Sequence, residues 1–135
     1  MNAMKRLAAA LRHNARIWTF THDRVLNGVA FSPDGARVLF AAGGRARILD
    51  VGGARVVLEM APTGSVEHIN NAVYSPDSKH VLLWGNVAGG FATSVVEVRD
   101  ANTGRVIADL NGHVDAVLSV TLDRTGRFVL TTSGF

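Results

Sequence analysis

Cysteine is absent from this chain of 135 residues, which excludes disulfides and thiolate metal sites. No apolar run approaches the roughly 18 residues that a membrane span requires, and LAAAL at 7–11 falls short of the roughly 7-residue core of a secretory signal. Neither membrane insertion nor secretion is expected. Cytoplasmic placement is therefore the expectation, with organelle targeting by residues 1–20 left open because that stretch bears arginine and no acid up to Thr21. Acid is missing throughout residues 1–22, where Lys5, Arg6, Arg12 and Arg16 lie, whereas the remaining residues carry ten basic and eleven acidic groups. The sequence pI of ≈ 10.2 thus belongs to a leader and not to the domain, and no nucleic-acid partner is expected. Also missing are G-x-G-x-x-G, G-x-x-x-x-G-K-[ST], G-x-S-x-G and H-E-x-x-H. His13, His22, His68, His80 and His113 are too scattered for metal-ligand spacing. No enzyme activity, metal or cofactor is expected from these residues.

What is present falls into two parts. In the leader, Met4, Leu7, Ala8, Leu11 and Ala15 recur at helical spacing, predicting a short basic amphipathic helix over 1–16. The rest, 17–135, repeats itself. GVAFSPDGARVLFAAG (28–43), NAVYSPDSKHVLLWGN (71–86) and SVTLDRTGRFVLTTSG (119–134) align with Phe31, Tyr74 and Leu122 in register, 43 and 48 residues apart. Each copy is an apolar strand, a turn and a second apolar strand. The turns have a mechanism: Pro33 and Pro76 preset φ, Asp34 and Asp77 can bond their own backbone, and Gly35 and Gly126 accept positive φ.

Two further strands follow each of the first two hairpins. ARILD (46–50) and VEVRD (96–100) both end in aspartate, and RVVLEM (55–60) and RVIADL (105–110) stand at equal offsets beyond Asp50 and Asp100. The first copy turns on Gly43-Gly44, a short hairpin signal. The second carries about seven additional residues around GNVAGGFA, which predicts a mobile, dispensable loop over 85–92. Units of four antiparallel strands recurring every 40 to 50 residues predict an all-β fold of propeller blades, at about 27–60, 69–110 and an incomplete 116–135. A strand at 17–21, containing Trp18, would close a preceding blade, and Trp84 reads as core.

The SPDG-type turns, the Asp closing each third strand, D-x-x-T-G before the fourth and Gly112-His113 before the next first strand resemble the WD-repeat β-propeller family. DANTGRVIADLNGHVDAV (100–117) is the most specific part of the resemblance. Two positions depart from it: the tryptophan that gives the family its name is Leu49 before Asp50 and Arg99 before Asp100. His22 and His113 each precede Phe31 and Leu122 by nine residues, and Ser65 stands at that place in the middle repeat. A residue that recurs by repeat belongs to the scaffold, so His22, His113, Asp50 and Asp100 are expected to be structural. The resemblance implies that His113 bonds a hydroxyl of its blade's second strand, Thr131 or Ser133.

The same resemblance implies a non-catalytic scaffold that binds other proteins. Its docking face would be the end carrying the second-to-third and fourth-to-first strand connections. Arg24, Arg45, His68, Asn86 and Asp115 are the candidate residues on that face. The competing expectation is the propeller portion of a hydrolase-associated protein, since such propellers also carry SPDG turns. Two and a half units cannot close a ring of 4–8 blades. The expectation is a piece of a longer propeller, or a chain that self-associates through open strand edges.

Overall fold

A computed structural model describes residues 24, 26–64, 66–87 and 95–134. The leader helix expected over 1–16, the strand at 17–21 with Trp18, and His22 lie outside the described residues. So does most of the inserted segment. Among the described residues no helix is long and apolar enough to cross a membrane.

The architecture is all-β and every pairing is antiparallel. The first sheet has the order β1 (Leu26–Phe31), β2 (Arg37–Ala42), β3 (Arg45–Asp50) and β4 (Arg55–Met60). The second repeats it with β5 (His68–Tyr74), β6 (His80–Asn86), β7 (Val96–Asp100) and β8 (Val106–Leu110). The third consists of β9 (Ala116–Leu122) and β10 (Val129–Gly134). The repetition extends to irregularities. One residue is bulged in each first strand, between Asn27 and Ala30, between Ile69 and Asn71, and opposite Thr132 and Ser133. Another bulge falls between the third and fourth strands, at Ile48/Leu49 and again at Val98/Arg99.

The second strands explain why the sheets stack. Along β2, Leu39 and Ala41 enter a core with Ile48, Ile69, Ala72, Val81 and Leu83, while Val38, Phe40 and Ala42 enter another with Leu49. Along β6, Val81 and Leu83 share that first core, while Leu82 and Trp84 pack with Val96, Val117 and Val120. A strand buried on both faces reads as a continuous apolar run, as RVLFAA and HVLLWGN do. Each fully buried aliphatic side chain of this kind stabilises the stack by about 1.5–3 kcal/mol. The fourth strands, by contrast, leave Val56, Val57, Val106 and Ile107 exposed at the rim.

Turn chemistry fixes the three hairpins in the same way. Ser32 Oγ donates to Asp34 Oδ1 at 2.6 Å and accepts from the Arg37 N–H at 3.0 Å; Ser75 repeats both bonds with Asp77 and His80. In the third hairpin the roles are exchanged. Asp123 takes the serine's place and accepts from the Phe128 N–H at 2.8 Å, and the Thr125 hydroxyl, in the aspartate's place, donates to it. The positive φ needed at Gly35 and Gly126 is adopted in the middle hairpin by Ser78, at 63°.

One expected boundary is corrected. Gly85 and Asn86 are not loop: they end β6, paired with Ile69 and His68. The strands approach so closely there that a Cβ on Gly85 would stand 1.7 Å from the His68 carbonyl oxygen. Glycine at 85 is a ladder requirement and not a sign of a flexible loop.

Candidate functional site

Asp50 and Asp100 sit at the ends of β3 and β7, where each chain turn leaves backbone N–H groups without ladder partners. Asp50 Oδ2 accepts from the Gly53 N–H at 2.7 Å. Asp100 Oδ1 accepts from Asn102 and Thr103 N–H groups, both at 2.8 Å, and these bonds hold its carboxyl below the usual carboxylate range. His113, in the β8–β9 connection, places Nε2 2.5 Å from Thr131 Oγ1 on β10. Ser133 pairs elsewhere along the same strand, opposite Val117.

Arg99 occupies the place of the family's tryptophan and is buried. Its Nη2 lies 2.6 Å from Glu97 Oε2, its Nε 2.9 Å from the same oxygen, and Nη2 also donates to the Ala61 carbonyl at 2.7 Å. The Thr63 hydroxyl donates to the other Glu97 oxygen. A guanidinium thus ties β7 to the β4–β5 connection, a link that an indole N–H with its single donor could not reproduce. At the equivalent place in the first sheet Leu49 is apolar and packs with Val38 and Phe40.

The end of the sheets that carries the β2–β3 and β4–β5 connections is built differently. Gly43 and Gly44, at φ 60° and 79°, form a two-residue hairpin turn. A Cβ on Gly44 would stand 2.6 Å from His68 Nδ1, and one on Gly43 would stand 3.2 Å from Arg24 Cγ. The bare turn therefore lets both side chains close over it. Around it lies a cavity of about 570 Å³ lined by Arg24, Gly43, Gly44, Arg45, Arg47, His68 and Asn70. Asn70 is the extra residue of the β5 bulge, a device that re-aims a side chain out of the ladder.

Glu59 on β4 braces two of these cations. Arg45 Nη1 donates to its Oε1 at 2.8 Å and Arg47 Nε to its Oε2 at 2.9 Å, while Arg47 Nη1 donates to the Ala42 carbonyl at 2.9 Å. Burial pushes the Glu59 carboxyl up, but the bonds and charges of Arg47 and Arg45 outweigh it and hold it below its ordinary value.

Of the five residues expected on the docking face, the structure brings Arg24, Arg45 and His68 together around this cavity. Asn86 pairs with His68 across the ladder without lining it, and Asp115 precedes β9 elsewhere on that end. Arg47 and Asn70 escaped sequence reasoning because each lies within a strand, where alternation and the bulge decide which way a side chain points. Among the described residues no group of three or more His, Asp or Glu could hold a metal ion.

Comparison with known families agrees with this geometry. Residues 104–134, which take in β8, His113, β9 and β10 with Thr131, match the family model of the WD domain, G-beta repeat. No curated protein matches the chain. Serving as a protein-interaction scaffold is the usual role of WD repeats. The matched repeat and the four-stranded antiparallel sheets that precede it are consistent with the blades of a partial WD-repeat propeller.

Proposed function

We propose that the chain is a non-catalytic protein-binding module that docks its partner at the end of the blades where Arg24, Arg45 and His68 meet. The observation that carries this reading is the contrast between the two ends. At the opposite end, the carboxylates of Asp34, Asp50, Asp77, Asp100 and Asp123 all accept hydrogen bonds from their own turns. They are scaffold, a role that His113 and its Thr131 partner share from the β8–β9 connection. The β2–β3 end instead presents a concave, polar surface built by three separate chain segments. Rigid sheets displaying loops in this manner suit recognition.

The reading is tested by placing a photo-crosslinking residue in the full chain at position 45 or 68, and at positions 102 or 124 on the opposite end. Discrete protein adducts from 45 and 68 are expected, with few from 102 and 124. Adducts of equal yield from both ends, or from the opposite end alone, would refute the placement.

A further inference from the structure

We propose that the Arg24–Arg45–His68 cavity takes an acidic side chain, Asp or Glu, from an extended segment of a protein partner; this rests on the docking reading above. Beyond residue 22 the chain holds ten Lys and Arg against eleven Asp and Glu, so cations are not in excess. Three of those ten nevertheless converge on one concavity, Arg24, Arg45 and Arg47, with Glu59 as the carboxylate paired to two of them. An anion seated in that concavity is attracted by all three charges.

The chemistry is already displayed inside the molecule. Glu59 shows that Arg45 and Arg47 hold a carboxylate at 2.8 and 2.9 Å. It engages one N–H of Arg45 and one of Arg47, whose Nη1 also donates to the Ala42 carbonyl; Arg45, 47% exposed, is the guanidinium whose planar fork of five N–H donors suits a second carboxylate. Asn70 adds an amide and His68 an imidazole N–H to the same lining. The two glycines carry no side chain, so Arg24 and His68 both stand directly against the turn.

A cavity of about 570 Å³ admits an acidic side chain and the residues flanking it. A nucleic acid fits less well, because duplex binding draws on many phosphates along an extended basic surface, and this domain has none to spare.

The test uses the full chain and a fluorescein-labelled peptide alternating Glu or Asp with Gly, followed by fluorescence anisotropy. The same peptide with Gln and Asn is the neutral control; inorganic phosphate and a duplex DNA are competitors. Saturable binding is expected, weakened roughly tenfold or more by Arg45→Gln, by Arg24→Gln and by the amide peptide, and weakened by added salt. Arg55→Gln and Arg105→Gln, at the opposite end of the sheets, should leave it unchanged. Circular dichroism confirms that each variant is folded, and Arg24→Gln decides the matter if Arg45→Gln unfolds. Equal binding of the amide peptide, equal loss in the control variants, displacement by phosphate at the peptide's own affinity, or stronger binding of duplex DNA would each overturn the proposal. No binding by the acidic peptide while photo-adducts still form at 45 and 68 would sink the acidic class alone; absence of both would sink the docking reading with it.

Discussion

Replacing Arg99 by Leu, the residue that the first sheet carries at the equivalent place, removes one side of a buried ion pair. Arg99 and Glu97 have side chains 4% and 0% exposed, so the substitution strands a carboxylate where water cannot compensate and leaves the Ala61 carbonyl without its donor. Breaking a buried pair from one side costs about 3–5 kcal/mol. With a urea dependence of about 2 kcal/mol per molar for a chain of this size, the unfolding midpoint should fall by roughly 2 M. Most of the cost in Arg99→Leu is the orphaned Glu97 charge, and replacing both by Leu removes it. Glu97→Leu/Arg99→Leu should therefore regain at least half of the loss, with a remainder of about 2 kcal/mol reflecting the unpaired Thr63 hydroxyl and Ala61 carbonyl. Urea titrations of the wild type, both single variants and the double variant form the cycle. A single-variant cost below about 1 kcal/mol, or a double variant equal to the sum of the singles, would show that the pair does not hold β7 to the β4–β5 connection.

Gly85→Ala should destabilise by at least about 1–3 kcal/mol, because its Cβ would meet backbone and not a yielding side chain; an unchanged thermal midpoint would mean the two strands sit farther apart than described. His113→Ala should cost on the order of 1–3 kcal/mol by leaving the Thr131 hydroxyl unpaired, and Thr131→Val in that background should add little; additive losses in the thermal melt would deny the bond between them. Hydrogen bonds from the Ser32, Ser75 and Thr125 hydroxyls and nearby backbone N–H groups hold Asp34, Asp77 and Asp123 below the ordinary 3.8. Their contribution is thus complete above that value and is lost as pH falls through the lower folded values, so the urea midpoint should be flat above about pH 5 and drop below about pH 4. Asp34→Asn and Asp77→Asn should flatten that drop, and a drop unaltered in the double variant would place its origin elsewhere.

Local chemistry was legible in the sequence wherever it is short-range. SPDG and SPDS place a hydroxyl, a ring and a carboxylate within one turn, and that turn closes on itself whatever surrounds it. The aspartates of ARILD and VEVRD likewise find their N–H partners within three residues. Alternation and apolar runs gave the strand order, because a second strand buried on both faces cannot disguise itself as a rim strand. Tertiary structure alone decided what depends on distance between segments. Gly85 reads as loop until β5 lies against it, and the burial of Arg99 follows only when Glu97 on its own strand and Ala61 in the β4–β5 connection meet it. Arg47 and Asn70 become part of a site because a bulge and a strand face turn them toward a bare glycine hairpin, and no linear pattern encodes where two sheets will leave a gap.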